Sequence, residues 1–154
     1  MNIEEKIIRS RVIKLKEKLT SLKLNYLKFD TSQEDSYVII NNVDLNIIND
    51  LFDYPAEYRI FLEEIGTVYV AYSTLFILEV SLPSKLYDSS IWVLDEEVIN
   101  NENLRIIAHS DNDDILYLVY NISKVPFERY LDDFNTISLL DLVEKSINNC
   151  GFLD

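Results

Sequence analysis

Tyr54-Pro55-Ala56-Glu57-Tyr58-Arg59-Ile60-Phe61-Leu62-Glu63-Glu64-Ile65-Gly66 carries the marks of both ends of a helix. Pro55 suits a first helical turn, where a missing N–H removes no bond. Gly66 suits the left-handed position that closes a helix. Between them, Tyr58, Phe61, Leu62 and Ile65 recur at helical spacing and form one apolar stripe. The stretch predicts an amphipathic helix that buries one face and stops sharply at Gly66.

Upstream, Asp44 is placed to cap a short helix running through Phe52, with Leu45, Ile48, Leu51 and Phe52 on one face. Before that, Tyr37-Val38-Ile39-Ile40 is a short β-rich run ended by Asn41-Asn42. The first thirty residues hold Ile8, Val12, Leu15, Leu19, Leu22, Tyr26 and Phe29 at alternating spacings of four and three. That predicts a long amphipathic helix, packed on the domain or paired as a coiled coil. Leu22-Lys23-Leu24-Asn25-Tyr26 also alternates with period two, so residues 21–29 read equally as a strand.

Downstream of Gly66 the character changes. Val68 to Tyr72 and Thr74 to Val80 are rich in β-branched and aromatic residues and predict strands, with Leu82-Pro83-Ser84 as a break. Ile91 to Leu94 reads as another strand or a short helical start, and Asp95 to Asn103 is acidic and Asn-rich, which predicts an exposed segment. Leu104 to Ala108 and Ile115 to Tyr120 predict two strands joined by a polar turn from His109 to Asp114. Val125 to Leu131 alternates as another strand. Thr136 or Ser138 caps a last helix through Asn148.

Helices, then consecutive strands, then a helix define an α+β fold: a mainly antiparallel central sheet of about five to six strands, with helices packed on one side. A length of 154 residues fits one domain, 1–154, made of a basic N-terminal helix (1–30) and a core (37–148). Two glycines and three prolines leave little room for linkers. No apolar leader follows the acidic start Met1-Asn2-Ile3-Glu4-Glu5, and no stretch reaches the ~20 apolar residues of a spanning helix. With a single cysteine, Cys150, the expectation is a cytoplasmic chain without disulfides.

The net charge is −13, unevenly placed. Residues 1–30 hold eight bases against four acids; residues 31–154 hold six against 23. Such an acidic body repels nucleic acid and anionic membrane and attracts basic proteins. Chemistry is poorly represented. His109 is the only histidine, and neither it nor Cys150 sits in a triad-like context. Asp111-Asn112-Asp113-Asp114 begins like a calcium loop, but Leu116 and Ile122 stand where glycine and glutamate are required. Phosphate-cradling glycine loops and a Cys-x-x-Cys pair are missing. The sequence therefore predicts no catalytic residue, no metal site and no cofactor.

The element order and the Tyr54–Gly66 stretch resemble the SUKH superfamily, which includes the yeast cell-wall-assembly regulators and many bacterial immunity proteins. Tyr54, Pro55, Tyr58, Phe61, Leu62 and Gly66 match the family's hydrophobic-Pro-x-x-Tyr-x-x-Phe-Leu phrase with its closing glycine. The likeness extends over roughly residues 44–148, through the Leu104–Tyr120 hairpin and the closing helix. It implies a structural role for those six residues. It also implies an immunity protein that binds and neutralises a basic toxin domain, such as a nuclease. The alternative is a regulatory or scaffolding module of the same fold. In either case the expected partner is a protein, and the chain itself is a monomer or weak homodimer. Asp95, Glu96, Glu97, Glu102, Asp111, Asp113, Asp114, Asp132 and Asp133 are the expected contact surface.

Overall fold

In the computed structural model, the described residues are 2–29, 36–72, 76–85, 103–111, 115–122, 132–133 and 138–148. Helix α1 (Ile3–Phe29) comes first, followed by strand β1 (Tyr37–Asn41) and helices α2 (Leu45–Asp50) and α3 (Ala56–Glu64). Strands β2 (Thr67–Tyr72), β3 (Phe76–Lys85), β4 (Leu104–Asp111) and β5 (Ile115–Asn121) follow. A two-residue β6 (Asp132–Asp133) and helix α4 (Leu139–Asn148) complete the order.

The strands form one sheet in the order β1-β2-β3-β4-β5-β6. β1 to β5 are antiparallel, and β6 lies parallel to β5. Two rows of side chains define its inner face. Val38, Val70, Leu78 and Ser110 stand in one row; Ile40, Val68, Val80, Ala108 and Leu118 stand in the next. Apart from Ile40, which is partly buried, every member of these rows is buried. Helices α1, α3 and α4 cover this face, so the core is a helix layer on a sheet layer. The α+β fold with a long first helix and a closing last helix is the architecture observed.

α1 is helical from end to end and does not turn into a strand at Leu22. Leu22 and Tyr26 are buried at the spacing set by Val12, Leu15 and Leu19. The period-four-and-three stripe outweighs the local period-two pattern because it buries one continuous face. The domain itself occupies this stripe.

Three boundaries differ from the sequence reading. α2 ends at Asp50, and Phe52 falls in the following turn, 71% exposed, with Leu45 59% exposed. The four-residue shared face therefore reduces to buried Ile48 and half-buried Leu51. Leu82-Pro83-Ser84 does not end β3. A register shift between Val80 and Ser84 bulges the strand, so Pro83 meets no demand for a ladder hydrogen bond. His109 and Ser110 belong to β4 rather than to the turn. Ser110 is buried against Ser146 of α4, with the two hydroxyl oxygens 2.8 Å apart. Ser146 donates to the Leu142 carbonyl at 2.7 Å, so the proton between the two serines comes from Ser110. The expectations for Ile91–Leu94 and Val125–Leu131 lie outside the described residues.

Gly66 closes α3 with φ +107°, a conformation open to glycine. The chain turns there against the end of β1. A β-carbon at Gly66 would lie 2.0 Å from the Asn41 carbonyl oxygen. Neither requirement tolerates a side chain.

Candidate interaction surface

The Tyr54–Gly66 stretch builds a corner between helices and sheet. The Pro55 carbonyl accepts the backbone N–H groups of Tyr58 and Arg59, which starts α3. Tyr54 packs against Tyr120 of β5, with ring centroids 4.3 Å apart, and against Tyr58 at 5.7 Å. Three polar bonds tie this aromatic group down. Tyr58 donates its hydroxyl to the Ser81 carbonyl at 2.6 Å, inside the β3 bulge. Tyr120 donates to the Asp53 carbonyl at 2.6 Å, and Arg59 Nε donates to the Tyr54 carbonyl at 3.1 Å. Burial pushes both the Tyr54 and Tyr58 phenols above their ordinary range, so they remain neutral hydrogen-bonding groups. Phe61 and Leu62 are fully packed into the core. The six motif residues thus occupy structural positions.

The basic helix is tied to acidic ones. Arg9 pairs with Glu64 and Glu63 of α3, while Arg11 pairs with Asp141 at 2.5 Å and lies 3.8 Å from Glu144 of α4. Two residues apart on α1, these arginines reach to opposite flanks of the helix and bridge to both of its neighbours. The Arg11 guanidinium holds the Asp141 carboxyl below the ordinary carboxylate range. Part of the body's acidity is therefore matched within the fold.

The expected acidic contact residues fall into two groups. Asp111 is the last residue of β4, opposite Ile115 across the hairpin and Ile77 on β3. Asp132 and Asp133 form β6, opposite Leu118 and Val119 of β5. Asp111 stands at the hairpin end of β4, whereas Asp132 stands beside the middle of β5, roughly 14 Å away by strand geometry, so the structure does not gather them. Asp95, Glu96, Glu97, Glu102, Asp113 and Asp114 lie outside the described residues.

One surface was missed by the sequence reading. A groove of about 190 Å³ runs between α1, α2 and α3, lined by Arg9, Leu45, Phe52, Arg59, Ile60 and Glu63 among others. Phe52 and Leu45 form exposed apolar lips. The exposure of Phe52 follows from α2 ending two residues sooner than the periodicity suggests, and the Asn49-Asp50 pair before Leu51 is the available signal. Among the described residues, no three His, Cys, Asp or Glu side chains gather as a metal-binding group. Among the described residues, no helix is long and apolar enough to cross a membrane.

The chain matches no protein-family profile, no curated protein and no solved structure.

Proposed function

We propose that this chain is a non-enzymatic protein-binding module of the SUKH immunity type, which binds and neutralises a basic toxin domain through an acidic surface. The observation that supports the reading is the charge distribution: residues 31–154 hold 23 acids against six bases on a chain of net charge −13. The resemblance of Tyr54–Gly66 to the SUKH phrase supports it further.

The physical logic is electrostatic. A nuclease-type toxin carries a basic cleft for phosphates. An acidic body offers that cleft competing negative charge. Long-range attraction raises association rates by about 10–10³-fold and weakens with salt. Arg9 and Arg11 are already paired with acids of α3 and α4.

The test is titration of the purified chain with the products of its neighbouring genes at low and high salt. A basic partner binding more tightly than about 1 μM at low salt is expected. Changing Asp111, Asp132 and Asp133 together to lysine should then weaken binding and flatten its salt dependence. If no neighbouring product binds in that range, or if the triple change leaves affinity unaltered, the proposal fails.

A further inference from the structure

Helix α1 carries two stripes at the same spacing. The first, Ile8 to Tyr26, is packed into the domain. The second runs along the opposite side through Ile3, Ile7, Ser10, Lys14, Glu17, Ser21 and Leu24, and all seven are exposed. Its ends are strongly apolar: Ile3 is 77% exposed, Ile7 65% and Leu24 61%. Ile13, on its flank, is 42% exposed. Alternating steps of four and three make this a heptad seam, the pattern by which two helices interlock.

We propose that this seam pairs with the same seam of a second copy, antiparallel, about a two-fold axis. The sequence of the seam is complementary to its own reverse. In the antiparallel register, Ile7 meets Leu24 of the second copy, Ser10 meets Ser21, and Lys14 meets Glu17. The two-fold repeats each contact, giving six rows. Apolar pairs lie at both ends, small residues come next, and opposite charges face each other at the centre. A parallel pairing would instead oppose Lys14 to Lys14 and Glu17 to Glu17. Complementarity thus selects the occupant, a second copy, as well as its direction.

The surroundings of the seam fit. Arg9 and Arg11 reach to the two flanks and are engaged there by acids of α3 and α4, leaving the outward stripe unobstructed by either pair. Where Arg11 would approach Lys18 of the second copy, Asp141 and Glu144 already offset its charge. The contact also runs along the segment whose charge balance is opposite to that of the −17 body, so the acidic bodies are held apart.

Sedimentation equilibrium of the full chain tests the proposal, from about 1 to several hundred micromolar. A monomer–dimer equilibrium is expected. Leu24→Lys should weaken association about tenfold or more, as loss of a buried apolar anchor does. Lys14→Glu and Glu17→Lys should each weaken it, while the double change K14E/E17K restores it. Circular dichroism should show unchanged helix content in all four, since these positions are exposed. Direction is read by cross-linking in a Cys150→Ser background. Ser10 and Ser21 lie roughly 16 Å apart along one helix, too far for an internal disulfide. The S10C/S21C chain should oxidise to a covalent dimer, and S10C alone should not. A chain that stays monomeric throughout, a double reversal that fails to restore pairing, or dimers cross-linked by S10C alone would each overturn the proposal.

Discussion

The carboxylate of Glu57, on α3, accepts the backbone N–H of Leu139 at 2.6 Å, so one helix caps the first turn of another that begins 82 positions later. Ser138 provides the local cap, accepting the N–H of Asp141 at 3.0 Å. Together they satisfy two of the orphan donors at the start of α4. Glu57→Ala removes the tertiary cap and should lower stability by about 1 kcal/mol. Glu57→Gln retains an acceptor oxygen and should lose less, as read by urea unfolding.

The same residue has a pH signature. Burial raises the Glu57 carboxyl above its ordinary value, against the lowering effect of the Leu139 N–H. The folded chain therefore holds this proton more tightly than the unfolded chain does. Stability from this group declines as pH rises from the ordinary glutamate range, about 4.3, through the raised folded value. Glu57→Gln should thus gain on the wild type as pH rises through that window in a series of unfolding midpoints.

Asp141 should behave oppositely. Its carboxyl is lowered, first by the hydrogen bond from Arg11, so the stability it contributes is present above the ordinary aspartate range and lost as pH falls through the lowered folded value. The pair is exposed, with 61% of the Asp141 side chain accessible, which keeps the effect small. A double-mutant cycle of Arg11→Ala and Asp141→Asn should give a coupling below about 1 kcal/mol that shrinks with added salt.

Gly66→Ala should be among the most damaging single changes. It forces a β-carbon onto a backbone with φ +107° and drives it to 2.0 Å from the Asn41 oxygen. A loss of at least about 2 kcal/mol is expected, visible as a lowered thermal midpoint, because the opposing atom is backbone and belongs to a paired strand.

Phe52 and Phe61, nine positions apart, should respond in contrasting ways. Phe61 is wholly buried and Phe52 is 71% exposed. Phe61→Ala should cost about 3–5 kcal/mol, whereas Phe52→Ala should stay within about 0.5 kcal/mol of the wild type in denaturant titration.

These two phenylalanines also show how far the sequence could be read. Phe61 was legible because capping, spacing and a terminal glycine agreed on one helix, and a helix with one apolar stripe has one place to put it. Phe52 was not, because its exposure depends on where α2 ends. That end is set by the turn bonds of Leu51 N–H to Ile48 and Tyr54 N–H to Leu51. The same limit hid Ser110. Two polar residues before an acidic run resemble a turn until a serine 36 positions away supplies a partner. In the candidate surface, charge counting found the acidic body. It could not foresee that Glu63, Glu64, Asp141 and Glu144 face Arg9 and Arg11, since those pairings span the length of the chain.

The placement of α1 has a mechanical consequence. Strands β1 to β5 pair with their sequence neighbours, whereas α1 and α4 are joined across 130 positions by Arg11 and Asp141. Tension applied through the first and last helices therefore loads the α1–α4 seat before it reaches any hairpin. In an optical trap the chain should yield in two stages: the helices part first, and the strand meander then unzips from its edges.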